Sequence, residues 1–182
     1  MKATGIVRRI DELGRVVIPK EIRRTLRIHE GSPLEIFTDH DGGIILKKYS
    51  PVSELAGFAN EFTAALHQMF GMNALICDKD MVVSCAGPGR REYGEQRITE
   101  EVERAILART AVTQHAADGA VLRIVDRVEK PPRALLLVPI IAQGDAIGAV
   151  ILFSTEEHAA IGEAELKTCQ TIASFLGRQM EA

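Results

Sequence analysis

The short strands expected in the first fifty residues are apolar on both faces, and nothing else constrains the fold of this chain so strongly. Successive side chains of a β-strand point to opposite faces. The adjacent pairs Ile6-Val7, Val16-Val17 and Ile44-Ile45 therefore put a large aliphatic group on each side of a ribbon. Residues 5–10 and 15–18 flank Asp11-Glu12-Leu13-Gly14, where glycine can supply the positive φ of a hairpin connection. Residues 34–39 and 44–49 flank Asp41-Gly42-Gly43, a second hairpin signal. Between these hairpins Pro19 opens a short helical stretch over residues 20–27, since proline fits a first helical turn. Four short strands and two helical turns cannot bury both faces from one copy, so the sequence predicts an obligate, intertwined dimer. The alternative is that the remainder of the chain covers one face.

The same segment is basic in a chain that is acidic overall. Residues 2–27 carry Lys2, Arg8, Arg9, Arg15, Lys20, Arg23, Arg24 and Arg27 against three acids, Asp11, Glu12 and Glu21. Residues 1–50 have ten Lys/Arg and seven Asp/Glu, hence +3, and residues 51–182 have twelve and eighteen, hence −6, which together recover the chain's −3. On a helix starting near Pro19, Lys20, Arg23, Arg24 and Arg27 fall at i, i+3, i+4 and i+7, while Ile22 and Leu26 point the other way. Arg8, Arg9 and Arg15 lie near the first turn and extend this stripe, as Lys2 can. A charge run is usually a solvated face. Here the charges are mostly Arg, whose rigid fork suits phosphates and guanine edges, and the helix offers few acids to neutralise them. Double-stranded DNA is the partner they suit. No Trp or Phe on the helix favours a membrane surface, and no interleaved aromatics favour RNA.

Ser50-Pro51-Val52-Ser53 marks the expected boundary. Beyond it Leu55, Ala59, Phe62, Leu66 and Met69 recur at bundle spacing as far as Gly71, and Leu166, Cys169, Ala173, Leu176 and Met180 do so after Gly162-Glu163. Two such helices per chain could form a four-helix bundle across a dimer, so these ten residues are candidate oligomerisation contacts. Packing of each seam on its own sheet is the alternative. Strands are expected at 74–77, 81–85, 121–125, 135–141 and 147–153, and a helix at 98–109. The last two strands join through Ala142-Gln143-Gly144-Asp145-Ala146, a hairpin signal, so this α+β domain has an at least partly antiparallel sheet. The expected division is 1–50 for DNA binding, 51–71 for a linking helix and 72–182 for a second domain.

Several chemistries find no support. The longest apolar run, residues 134–142, contains Pro139 and is too short to span a bilayer, and the charged N-terminal segment has no apolar stretch of the signal-peptide kind, so cytoplasmic, nucleoid-associated residence is expected. The spacing from Gly89 to Gly94 mimics a phosphate-binding loop, but Glu95-Gln96 stands where Lys and Ser/Thr must be. His29, His40, His67, His115 and His158 show no metal-ligand spacing, and no cofactor is expected. Cys77, Cys85 and Cys169 form no CxxC pair, and they read as core residues in a reducing compartment. Cys77 and Cys85 lie on neighbouring expected strands. The polar loop 87–94 could border a pocket in which Arg90 or Arg91 holds an anion, with a solvated loop as the plainer reading.

The stretch TGIVRRIDELGRVVIPKEIRRTLRI, followed by LEIF and IILKKY, resembles the N-terminal domain of AbrB-type transition-state regulators of spore-forming bacteria. That resemblance implies a swapped-hairpin dimer and DNA contacts through Arg8, Arg15, Arg23 and Arg24. The later segment VPIIAQGDAIGAVILFS resembles strands of GAF-type domains, which commonly bind small molecules. Some GAF relatives are cysteine-dependent enzymes, so this resemblance also implies, as an alternative, a thiol-dependent enzyme using Cys77 or Cys85. The expected protein is an α+β transcription regulator of sporulation type, dimeric through its N-terminal domain and tetrameric through its GAF-like domain and helices. A small molecule of unidentified class is a candidate ligand. An antitoxin-like module is the alternative of a different class, because the same hairpin fold occurs in proteins that sequester toxins.

Overall fold

The computed structural model describes residues 5–157 and 159–181. The chain divides into two units, the first ending at Tyr49 and the second starting at Ser50.

In the first unit, α1 (Lys20–Thr25) follows Pro19, and β1 (Leu34–Thr38) pairs antiparallel with β2 (Ile44–Lys48) in the register Leu34↔Lys48 to Thr38↔Ile44. Asp39 builds the hairpin connection. Its Oδ1 accepts the N–H groups of Asp41 at 3.1 Å and Gly43 at 2.6 Å, while Gly42 takes φ +79°. The first expected hairpin differs from its reading. Its turn is closed, with Gly14 at φ +77°, but residues 5–10 and 15–18 form no ladder. Except for the half-buried Ile18, their side chains remain exposed, and a two-stranded ribbon without a covered face is marginal by itself. The helix is also shorter than expected. It ends at Thr25, and Arg27 lies beyond it at φ +50°; Leu26 is exposed rather than packed in a core.

The second unit is a five-stranded antiparallel sheet, in the order β4-β3-β7-β6-β5, with helices on both faces. Its elements are α2 (Pro51–Glu54), α3 (Ala56–Phe70), β3 (Asn73–Asp78), β4 (Val82–Ala86), α4 (Arg90–Tyr93), α5 (Glu100–Leu107), β5 (Val112–His115), β6 (Ala134–Ala142), β7 (Asp145–Ser154) and α6 (Glu163–Gln179). Strand alternation creates two cores. Ala74, Ile76, Leu136, Val138, Val150 and Leu152 meet α2, α3 and α6 on one face. Leu75, Cys77, Leu135, Leu137, Ile151 and Phe153 meet α4 and α5 on the other. Because both faces are covered, the strands read as continuous apolar runs. The β6–β7 connection tightens to two residues, Gln143 at φ +49° and Gly144 at φ +83°, the pairing a twisted hairpin needs.

Three expectations for this unit are corrected. Residues 121–125 are not a sheet strand. Ile124 and Val125 are buried, but the Thr99 hydroxyl donates to the Arg123 carbonyl at 2.6 Å and Thr99 N–H to Ile124 at 3.0 Å, so this backbone is satisfied by the start of α5. The edge strand β5 was instead hidden in Val-Thr-Gln-His, a sequence without an apolar run. The loop 87–94 contains α4, whose Tyr93 ring packs 4.5 Å from that of Phe153, while Asn73 Oδ1 accepts Gly89 N–H at 2.7 Å. Arg90 and Arg91 are exposed, in keeping with the plainer reading of a solvated loop.

Candidate nucleic-acid interface

Asp11 organises the turn that joins residues 5–10 to residues 15–18. Its Oδ1 accepts the N–H groups of Leu13 at 3.0 Å and Arg15 at 2.8 Å, and its Oδ2 accepts Arg15 Nε–H at 2.8 Å. The backbone adds Asp11 N–H to Arg15 C=O at 3.1 Å and Gly14 N–H to Asp11 C=O at 3.0 Å. The Arg15 N–H, then its side chain, hold the Asp11 carboxyl below the usual carboxylate range. It is therefore ionised at neutral pH, and the contribution of its contacts to the turn fades only as acid protonates it.

The helix α1 carries the second group of basic side chains. Proline at its N-cap fixes φ at −56°, Glu21 lies in the first turn where the dipole favours an acid, and Arg23 and Arg24 lie in the last turn where it favours bases. Arg8, Arg9, Arg15, Lys20, Arg23 and Arg24 are all exposed. Arg8 engages the Val7 carbonyl through Nη1 at 3.2 Å. Arg27 is half-buried and off the helical face, so the stripe consists of Lys20, Arg23 and Arg24. Lys2 lies outside the described residues. The first unit also exposes large apolar side chains, with Val7 85%, Val17 70% and Ile44 69% exposed.

The ten candidate oligomerisation residues fall differently. Ala59, Leu66, Cys169, Ala173 and Leu176 are buried against the chain's own sheet, with Leu55, Phe62, Leu166 and Met180 half-buried beside them. Met69 is 66% exposed. The seams thus face inward, and the outer flank of the two helices carries Phe58 and Phe175, whose rings meet edge-on at 5.6 Å, with Phe62 against Phe175 at 5.4 Å. Neither Phe58 nor Phe175 belonged to the expected seam, because both lie one position off its spacing.

The thiols are poor nucleophiles. Burial pushes Cys77 far above its ordinary value, Cys169 up to about 12 and Cys85 up to about 11, the last despite Arg90 nearby. At pH 7 only about one Cys85 in ten thousand is thiolate. Iodoacetamide should therefore modify Cys85 slowly at pH 7, with a rate rising about tenfold per pH unit toward pH 11. Fast labelling at neutral pH, read by intact mass, would contradict this. Among the described residues no group of three or more His, Cys, Asp or Glu could hold a metal ion.

Two family models match adjoining stretches of the chain. Residues 54–181 match the family model of the stage V sporulation protein T C-terminal, transcription factor, and residues 7–54 match that of the antidote-toxin recognition protein MazE, a bacterial antitoxin. Stage V sporulation protein T of Bacillus subtilis is 50% identical over 181 residues, covering 100% of this chain and 99% of that protein. The transition state regulatory protein AbrB of the same organism is 69% identical over 51 residues, 28% of this chain and 52% of AbrB. The GAF domain of Thermosynechococcus elongatus PixJ aligns with a TM-score of 0.58 at 17% identity, covering 74% of this chain and 89% of that domain, which establishes the GAF-like fold alone.

Proposed function

Because this chain belongs to the stage V sporulation protein T family, we propose that it is a homo-oligomeric transcription regulator that binds double-stranded DNA through the basic surface of its first unit. The observation that carries this reading is the exposure of Arg8, Arg15, Arg23 and Arg24 within the segment that resembles the AbrB-type regulators. Guanidinium groups release condensed counterions when they neutralise phosphates, and their paired N–H groups match guanine N7 and O6. Arg9 and Lys20 add charge. Such a regulator acts in the cytoplasm, at the nucleoid.

A second copy of the chain is the natural cover for the exposed apolar side chains of the first unit, because both faces need covering and each copy brings the same surplus. The strand swap is the arrangement the relatives imply. In the second unit, Phe58, Met69 and Phe175 on the outer flank of α3 and α6 support further assembly toward a tetramer. Its GAF-like fold supports a sensing role for a small molecule of unidentified class. The antitoxin reading draws on the family match over residues 7–54, but the match over residues 54–181 favours the regulator.

Sedimentation equilibrium tests the assembly. The purified chain should sediment as a multiple of its 19.9 kDa mass and shift duplex DNA in that form. A monomer, or an oligomer that retards no duplex, would contradict the proposal; co-purification of a small stoichiometric partner would favour the antitoxin.

A further inference from the structure

A carboxylate on a surface that faces phosphates weakens binding unless it performs a task, and Asp11 stands beside Arg15 on such a surface. Its two oxygens are divided between the backbone and the guanidinium. Oδ1 is held by the N–H groups of Leu13 and Arg15, so the carboxylate is fixed to the turn, and Oδ2 then holds Arg15 Nε at 2.8 Å. Nε is the nitrogen that end-on recognition does not use. With it engaged, the parallel N–H groups of Nη1 and Nη2 form the outward edge of a side chain that is 71% exposed, the edge that spans guanine N7 and O6. Arg8 is held differently, because its contact with the Val7 carbonyl is made through Nη1, at the end of the fork that recognition needs.

We propose that Asp11 is a positioning residue for Arg15 in DNA recognition, aiming its Nη edge at a base pair and conferring sequence preference rather than raw affinity. The proposal rests on the DNA-binding reading above. It differs in sign from simple electrostatics. Removing a negative charge from a phosphate-facing surface should tighten binding to any duplex, whereas removing a positioning group should weaken binding to the preferred duplex alone.

The test uses the full chain, a duplex selected from a random library with the wild-type protein, and a scrambled duplex of equal length and composition. Asp11→Asn keeps Oδ1 for the turn but replaces the oxygen that accepts Arg15 Nε–H with an uncharged NH2 donor. Fluorescence anisotropy should show an about tenfold loss on the selected duplex and equal or tighter binding to the scrambled one. Arg15→Lys keeps the charge without the fork. It should lose the same preference, and adding Asp11→Asn to it should change nothing further. Unchanged or tighter binding of Asp11→Asn to both duplexes would overturn the proposal, as would an equal loss with and without Arg15. Should Asp11→Asn fail to fold, judged by sedimentation and melting, Arg15→Lys with undiminished preference overturns it alone. If Arg15→Lys loses preference while a folded Asp11→Asn does not, DNA binding stands and only the positioning role falls. If the wild type selects no duplex, both fall.

Discussion

Gly177→Ala and Gly148→Ala should each destabilise the second unit by about 3 kcal/mol, lowering Tm by roughly 6–12 °C. Gly177 lies in α6, where alanine is ordinarily the better helix former by about 1 kcal/mol. The contact reverses that sign. A Cβ at Gly177 would overlap the carbonyl oxygen of Ile141, so the helix crosses β6 at a distance only glycine permits. The helix cannot simply tilt away, because Glu181 Oε1 near its end accepts Gln143 N–H at 2.7 Å in the β6–β7 turn, and Cys169, Ala173 and Leu176 are buried beneath it. At Gly148 a Cβ would overlap the Cys77 carbonyl oxygen and approach Val52 Cγ2 at 3.0 Å and Asp78 Cα at 3.2 Å. Two of these three atoms are backbone of the adjacent strand, which cannot yield as a side chain can. Thermal or urea unfolding checks both variants, and a gain in stability at Gly177 would show that helix propensity outweighs the contact.

The second large effect concerns DNA. In a folded dimer, Arg23→Ala and Arg24→Ala should each weaken duplex binding by about ten- to a hundredfold at fixed salt, since one substitution removes a contact from both protomers. Both residues are exposed in the last turn of α1 and share its face with Lys20. Arg27→Ala should cost less than about threefold, because Arg27 has left the helix and is half-buried. Electrophoretic mobility shift at one salt concentration separates these outcomes. Equal losses at all three positions would mean that charge alone, not the helical face, governs binding.

The parts of the fold that could be read in the sequence are those in which a local rule and the tertiary environment agree. Asp41-Gly42-Gly43 and Gln143-Gly144 became tight turns because positive φ suits few other residues. The spacing of Leu55 to Met69 and of Leu166 to Met180 revealed two helices, but periodicity cannot say what a face packs against. The buried partner was their own sheet. The edge strand β5 escaped because its Thr-Gln-His is too polar to read as a strand, and residues 121–125 misled because burial of Ile124 and Val125 came without a ladder. In the basic surface, the arginines were visible as charge, but the division of the Asp11 carboxylate between backbone and Arg15 is a matter of geometry that the Asp-x-x-Gly-Arg spacing only suggests.

Binding of duplex DNA by exposed arginines of the first unit, in a symmetric oligomer, is what we propose. The most direct measurement is the affinity of the full chain for a duplex across salt concentrations from about 50 to 300 mM, for wild type, Arg23→Ala and Arg24→Ala. A plot of log K against log salt should fall steeply for the wild type, and each variant should give a slope shallower by about two, one lost phosphate contact per protomer. Lines for both variants that superimpose on the wild type would contradict the account.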